Sequence, residues 1–206
     1  KAAPEKAAPV LTGDIFLCDK ETLVKYAGND EDVDIPEYVT KIDACAFKDN
    51  TTIRTIHIPD TVLSIGDSAF EGCTSLSNVR LPNTIKKIGY KTFNGCERLK
   101  TLTIPASVEE IVYNAMCCGL EEIVFESSKT TWEPLNDYTN PSFEISRKAT
   151  EKGVTRIYFN GTAYEASEVY RFKCVSAYLK SVGLCPLCGG KYGVFGKCKN
   201  CGNKKD

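Results

Sequence analysis

The chain has 206 residues, with 26 basic and 27 acidic side chains, a formal net charge of −1 and a hydrophobic fraction of 42%. The balanced charge argues against a general binder of nucleic acids or other polyanions, and no apolar run approaches the roughly 18 residues of a membrane helix. The count of 11 cysteines is odd, so at least one thiol stays free or binds a metal instead of closing into an intramolecular disulfide.

The N-terminal residues 1–12 are rich in proline and alanine. They lack the apolar segment of a signal peptide, and we expect a linker or a disordered tail. Because the chain starts at Lys1, we also expect a processed or truncated product.

An internal repeat follows the tail. Four Ile-Pro or Leu-Pro dipeptides recur at a step of 23 residues, and further apolar columns share this register. Within each unit the order L-x-x-L-x-L-P predicts one short strand, which stacks beside the strand of the next unit in a parallel sheet. The proline lacks an N–H group and ends the strand. The dipeptides are Ile35-Pro36, Ile58-Pro59, Leu81-Pro82 and Ile104-Pro105.

The segment from Val62 to Pro82 carries the pattern V-x-x-I-x-x-x-A-F-x-x-C-x-x-L-x-x-V-x-L-P at nearly every defined position. In this respect the chain resembles the BspA-like leucine-rich repeat family, found mainly in bacteria and some protists, over residues 33–126. The preceding stretch, from Phe16 to Gly28, resembles the hairpin that leads into the repeats of that family. The resemblance implies a surface adhesion or interaction protein and not an enzyme.

The strand pattern also locates a candidate partner-binding face. Side chains alternate along a strand, so the residues between the inward positions face outward and would stack into a small polar concave surface with Arg80 and His57 near its centre. A solvated sheet face without a partner is the alternative. The candidate residues are Thr55, His57, Asn78, Arg80, Thr101, Thr103 and Glu122, with Val124 also facing outward.

The cysteines within the repeat are interpreted as packed thiols. Cys73 and Cys96 share one repeat column, and Cys118 falls near it in a shortened unit. This column precedes the strand and should face inward, where free cysteine behaves as a small apolar residue. We expect Cys45, in a different column, to lie in the core as well.

The repeat is lost over residues 127–183. A short helix is predicted over residues 140–152 and a strand with a hairpin turn over residues 154–164. Apolar residues then recur every three or four positions over residues 165–182, which predicts an amphipathic helix that Gly183 ends. We expect this region to cap the last coil of the solenoid.

Two C-x-x-C-G motifs occupy the C-terminal segment, residues 184–206. Cys185 and Cys188 form the first, and Cys198 and Cys201 form the second after nine intervening residues. Four thiolates provide the closed tetrahedral set that structural zinc prefers. The motif resembles the small zinc ribbons appended to many prokaryotic proteins. Iron in a rubredoxin-like site is one alternative, and a redox-active dithiol pair is another.

The sequence thus predicts an α+β fold with four parts. These are a tail (residues 1–12), a short leucine-rich-repeat solenoid with an N-terminal β-hairpin cap (13–126), a helical C-terminal cap (127–183) and a zinc ribbon (184–206). The solenoid has a parallel β-sheet built from 23-residue repeats.

The predicted function is a non-catalytic protein-interaction module with an unidentified protein partner. The sequence contains no hydrolase elbow, phosphate-binding glycine loop or histidine-based dyad, and it has a single histidine. We therefore expect neither catalysis nor a small-molecule substrate. The alternative is a regulatory nucleic-acid-binding protein that acts through the lysine-rich ribbon. Free thiols and a four-thiolate site favour the cytoplasm, while the family resemblance favours the cell surface or secretion.

Overall fold

The structure is a computed structural model that describes residues 16–112, 114–116, 118–132, 156–165, 169, 174–192, 197–201 and 203–204. The predicted tail (residues 1–12) and the predicted helix over residues 140–152 lie outside the described residues. The described part is mostly β, and it includes one helix of seven residues near the C-terminus.

Two walls of short parallel strands run along the solenoid. In the first, which we call the strand wall, the strands pair in register as β3-β5-β7 and β9-β11-β13, and β7 lies beside β9. The strand wall consists of β3 (Asp32–Asp34), β5 (Thr55–His57), β7 (Asn78–Arg80), β9 (Thr101–Ile104), β11 (Glu122–Phe125) and β13 (Arg156–Phe159). The second wall consists of β2 (Thr22–Tyr26), β4 (Lys41–Ile42), β6 (Ser64–Ile65), β8 (Lys87–Ile88), β10 (Glu110–Ile111) and β12 (Thr131–Trp132).

The repeated prolines form the turn between the walls. The backbone N–H of Val39, Val62 and Val108 donates to the carbonyl of the proline three residues earlier, at 3.0, 3.0 and 3.1 Å. Each of these turns carries the chain from the strand wall towards the second wall, because proline cannot extend the strand pairing. The predicted apolar columns are buried between the two walls and form the core.

A ladder of aromatic rings fills the end of the core that faces the turns. The Phe47, Phe70 and Phe93 rings occupy the same column of successive units, with centroids 5.0 and 5.5 Å apart and interplanar angles of 21° and 5°. Tyr26 and Phe16 continue the ladder into the N-terminal end, at centroid distances of 5.3 and 5.2 Å. Coils of equal length place equivalent rings on top of each other, and this stacking ties each coil to the next.

Left-handed backbone conformations recur with the repeat. Cys45, Ser68, Lys91 and Asn114 form one column with φ between 53° and 60°, and Asp49, Gly72 and Gly95 form another. The prediction that Cys45 lies in the core is wrong, because its side chain is exposed. A left-handed residue bends the turn and directs its side chain away from the neighbouring Ala46 and Phe47, which are the buried residues of that turn.

A hairpin caps the N-terminal end, as predicted. Strand β1 (Phe16–Asp19) pairs antiparallel with β2, and β2 pairs parallel with β4 of the first complete coil. Within β2, Leu23 and Tyr26 are buried against the core. The hairpin therefore covers apolar side chains that the first coil would otherwise expose to water.

A second hairpin and a helix complete the C-terminal end. Strand β13 joins the strand wall in parallel with β11 and pairs antiparallel with β14 (Thr162–Glu165). The turn between them, Asn160 and Gly161, has φ values of 47° and 71°, so the predicted hairpin turn is confirmed.

The described part of the predicted amphipathic helix is α1 (Val175–Ser181), which buries Val175, Tyr178 and Leu179. The N–H of Ser176 donates to the carbonyl of Ser128 at 2.8 Å, so α1 lies against the end of the last coil. This contact agrees with the predicted capping role of the helix.

Candidate metal centre and strand face

The first cysteine motif folds into a tight knuckle. The N–H of Gly189 donates to the carbonyl of Cys185 at 2.8 Å, and the N–H of Cys185 donates to the carbonyl of Gly190 at 2.9 Å. Gly189 adopts a φ of 72°, which is the reason that a glycine follows the second cysteine of the motif. This turn brings the Cys185 and Cys188 side chains to the same side of the backbone.

The second knuckle joins the first through short antiparallel bridges. Tyr192 pairs with Cys198, and Lys197 pairs with Lys204. The N–H of Cys198 donates to the carbonyl of Asn203 at 2.7 Å. The second pair of cysteines therefore faces the first pair.

The four sulfur atoms of Cys185, Cys188, Cys198 and Cys201 all lie within 4.8 Å of one another. The Sγ atoms of Cys185 and Cys201 are 3.6 Å apart, and the Sγ of Cys188 is 3.4 Å from those of Cys198 and Cys201. These distances are far longer than the roughly 2.05 Å of a disulfide bond. They are close to the roughly 3.8 Å edge of a tetrahedron of sulfurs about 2.3 Å from a metal. The four cysteines can therefore hold a metal ion.

The local backbone favours thiolates at two of these positions. Burial raises the pKa of the Cys185 thiol, but hydrogen bonds from the backbone N–H groups of Leu187 and Cys188 outweigh this effect and lower the pKa to about 6. The pKa of Cys198 is also lowered, chiefly by the backbone N–H of Cys201. Because a metal binds the thiolate, this arrangement suits a thiolate-bound ion.

The structure places all seven residues of the predicted binding face on the outer side of the strand wall. Two rows cross the strands. The first pairs Thr55 with Asn78 and Thr101 with Glu122, and the second pairs His57 with Arg80 and Thr103 with Val124. Thr55, Glu122 and Val124 are half-buried, and the other five side chains are exposed. The rows therefore form one continuous surface.

The sequence reading missed four members of the two rows. Asp32 and Asp34 on β3 lie in register with Thr55 and His57, and Arg156 and Tyr158 on β13 lie in register with Glu122 and Val124. The aspartates stand 23 residues before their neighbours, so the repeat itself contained the signal. Arg156 and Tyr158 were hidden because the insertion before β13 breaks the 23-residue step.

The two buried cysteines of the repeat column use their thiols as hydrogen-bond donors. The Cys73 thiol donates to the carbonyl of Phe47 at 3.1 Å, and the Cys96 thiol donates to the carbonyl of Phe70 at 3.2 Å. Burial raises the pKa of Cys73 to about 12 and raises that of Cys96 as well. Both are packed in the core as predicted, in a form that is poorly reactive at neutral pH.

One carboxylate joins three successive coils at the turn edge. The Oε2 atom of Glu71 lies 2.8 Å from the Lys48 Nζ, and its Oε1 accepts a hydrogen bond from the Asn94 Nδ2 at 3.1 Å and lies 3.5 Å from the Lys91 Nζ. The hydrogen bond with Lys48 is the main reason that the pKa of Glu71 falls to about 2. This contact network stabilises the stacking of the coils.

The repeat architecture and the strand register now allow a comparison with known proteins. The profile of the BspA type leucine rich repeat region matches residues 23–136 in 6 copies. The chain belongs to this family. Members of the family are typically protein-interaction or surface modules. A search of curated proteins found no match.

Solved structures of bacterial leucine-rich repeat proteins share the fold. A leucine rich cell surface protein from Faecalibacterium prausnitzii is 27% identical, with a TM-score of 0.57 over 68% of this chain and 35% of that chain. A leucine-rich repeat protein from Bacteroides capillosus is 33% identical over 51% of this chain and 86% of that chain, with a TM-score of 0.47. This chain therefore spans about a third of the Faecalibacterium protein.

The membrane prediction can be checked on the described residues. None of their helices combines the length and the apolar character that crossing a bilayer requires.

Proposed function

We propose that this chain is a non-catalytic protein-interaction module whose partner binds the outer face of the strand wall. The observation that supports the proposal is the register of the strands, which stacks the outward side chains into two continuous rows. Members of the family typically act as interaction or surface modules, and a repeat solenoid commonly binds partners along its extended surface.

The experiment for this proposal is a partner capture that compares matched charge variants. The test variant carries Arg80→Glu and His57→Ala on the strand wall. The control carries Lys87→Glu on the second wall, where Lys87 is similarly exposed and pairs with Glu110. A specific partner should be lost with the test variant and retained with the control. If every captured protein binds the two variants equally, the strand wall is not the binding face.

We further propose that the four C-terminal cysteines hold one structural zinc ion. The closed set of four sulfurs leaves no position for a substrate, which favours a stabilising role over catalysis. Iron would suit the same thiolates, so metal analysis must identify the element. About one zinc per chain is expected after purification without added metal, and Cys188→Ser together with Cys201→Ser should abolish it. An equal amount of iron would overturn the choice of zinc.

For location, we propose a compartment in which thiols stay reduced, such as the cytoplasm. The exposed Cys45 and the four clustered cysteines support this choice. The name of the Faecalibacterium relative supports the alternative of the cell surface. A thiol titration of the protein purified from its native host, in denaturant and with the metal retained, should count about seven thiols, the number left from 11 after four bind metal. Few thiols and no metal would indicate an exported protein.

Binding of nucleic acid through the ribbon is the second candidate function. Its lysines are exposed in the described part of the ribbon, which is the observation in its favour. Retention on heparin or DNA that falls steeply with salt would support it, while no retention at low salt would exclude it. These lysines are Lys191, Lys197, Lys199 and Lys204.

A further inference from the structure

The outer face of the strand wall changes its chemical character along the solenoid. One row, which we call the central row, crosses five strands at His57, Arg80, Thr103, Val124 and Tyr158. The row is basic on β5 and β7, carries a small hydroxyl on β9 and becomes apolar and aromatic on β11 and β13. A ligand that spans the row must therefore be asymmetric.

The basic part of the row is available to a carboxylate ligand. The Arg80 side chain is 73% exposed, and its ion pair with Asp60 is long, at 3.9 Å between Nη2 and Oδ2. An exposed pair of this length contributes little to stability, so a ligand carboxylate can replace Asp60 and bind the guanidinium in bidentate geometry. Asp34 lies beside His57 on β3, which places the nearest negative charge of the row two strands from Arg80.

The apolar part of the row is held in position before any ligand binds. The hydroxyl of Tyr158 donates to the Oε1 of Glu122 at 3.1 Å, and Tyr158 lies in register with Val124. Both the tyrosine and the valine are half-buried. An aromatic ring with a fixed orientation binds apolar side chains at a low cost in conformational entropy, which is typical of binding hot spots.

The spacing of the strands defines the ligand. Neighbouring strands lie about 4.8 Å apart, so the path from Arg80 to the Val124–Tyr158 pair, two to three strands away, is about 10–14 Å. An extended peptide advances about 3.3 Å per residue and points every second side chain to the same side, so residues i and i+4 are about 13 Å apart on one side. Residue i+2 would lie over Thr103, which is small enough to leave room for it.

We propose that the central row binds an extended peptide segment that crosses the strands, with an acidic side chain on Arg80 and an aliphatic or aromatic side chain four residues away against Val124 and Tyr158. This inference rests on the proposed function, because it assigns the chemistry of the partner to the same face. It adds a spacing and two chemical classes, which a peptide selection can measure.

The test is selection from a random library of 12-residue peptides displayed on phage, with the full chain as bait. Parallel selections use Arg80→Glu, Tyr158→Ala and the control Lys87→Glu, and thermal unfolding checks that each variant is folded. Tyr158→Phe keeps the ring and removes only the hydroxyl, so it separates loss of the apolar contact from loss of the hydrogen bond to Glu122. Fluorescence anisotropy then measures the affinity of synthetic peptides whose acidic and apolar residues are two to six positions apart.

The expected result is enrichment of peptides with an acidic and an apolar residue four positions apart. Their affinity should fall about tenfold or more with Arg80→Glu and with Tyr158→Ala, and stay unchanged with Lys87→Glu. Peptides that depend on both residues but show no preferred spacing would overturn this inference and leave the proposed function intact. Enriched peptides that bind all variants equally would overturn the inference and also count against the proposed binding face.

Discussion

The aromatic ladder offers the sharpest test of how the coils hold together. The perturbation is Phe70→Ala, because the Phe70 ring is 1% exposed and stacks between Phe47 and Phe93. Removal of a fully buried phenylalanine costs about 3–5 kcal/mol through lost transfer free energy and the cavity that remains. In a chain of this size we expect the midpoint of thermal unfolding to fall by about 6–20 °C, from about 2–4 °C per kcal/mol.

The assay is urea unfolding followed by circular dichroism, supported by thermal melts. Phe70→Leu keeps most of the apolar volume but removes both stacking contacts, so it should cost about 1–2 kcal/mol. Met116 occupies the same column in a later unit and is buried too, so Met116→Leu is the matched control and should cost less than about 1.5 kcal/mol.

A double-mutant cycle isolates the stacking itself. Phe47→Leu and Phe70→Leu should couple by about 0.5–1.5 kcal/mol, because the two rings are in direct contact. Phe47→Leu and Phe93→Leu should be additive, since the Phe70 ring separates them. If the two cycles give the same coupling, or if Phe70→Ala costs less than about 1 kcal/mol, the reasoning from the ladder is refuted.

Three further predictions concern charge, thiols and metal. Glu71 has its pKa lowered to about 2, so its contribution should be complete above the unfolded value of about 4.5 and be lost as the pH falls towards 2. Glu71→Gln should therefore lower the unfolding free energy by about 1–2 kcal/mol at pH 7 but not near pH 2 in urea titrations, whereas the exposed Glu109→Gln should have little effect at either pH. In native protein, a thiol reagent at pH 8 should modify the exposed Cys45 but not Cys73 or Cys96, as peptide mapping by mass spectrometry can show; rapid modification of all three would contradict the buried positions. Metal removal by a chelator should raise hydrogen exchange over residues 184–192 and in β14 but not in β5 or β7, because a Cβ atom placed on Gly189 would lie 2.6 Å from the Tyr164 hydroxyl of β14; uniform exchange changes would show that the knuckle and the solenoid are uncoupled.

The sequence predicted the solenoid well because its information is periodic. Each unit repeats the same buried columns and the same proline turn, so errors at single positions do not change the register. The outward position of Asp34 follows from His57 by the same step of 23 residues. Where periodicity ends, prediction becomes local: the hairpin turn at Asn160 and Gly161 could be read from two residues, but the parallel pairing of β13 with β11 could not. That pairing depends on how the segment before β13 returns to the sheet.

The predicted metal ligands and the predicted binding face differ in the same way. The Cys185 and Cys188 pair follows from a short motif with its own turn geometry, and the structure brings both near the second pair. The error at Cys45 has a different origin, because apolar neighbours in the sequence do not reveal a left-handed backbone. The column shared with Ser68 and Lys91 contained that signal, since polar residues at equivalent positions of later units indicate an exposed site.

The ends of the strand wall explain why a partner should use its face and not its edge. An unpaired edge strand offers backbone N–H and C=O groups to any extended chain, and proteins commonly block it with charges or with a covering element. Among the described strands, β3 forms one edge of the wall, and it exposes Asp32 and Asp34 on either side of the buried Val33. At the other end, β14 covers β13 in antiparallel pairing. Both ends therefore disfavour the addition of a further strand, which leaves the two rows of outward side chains as the surface through which the strand wall recognises a partner.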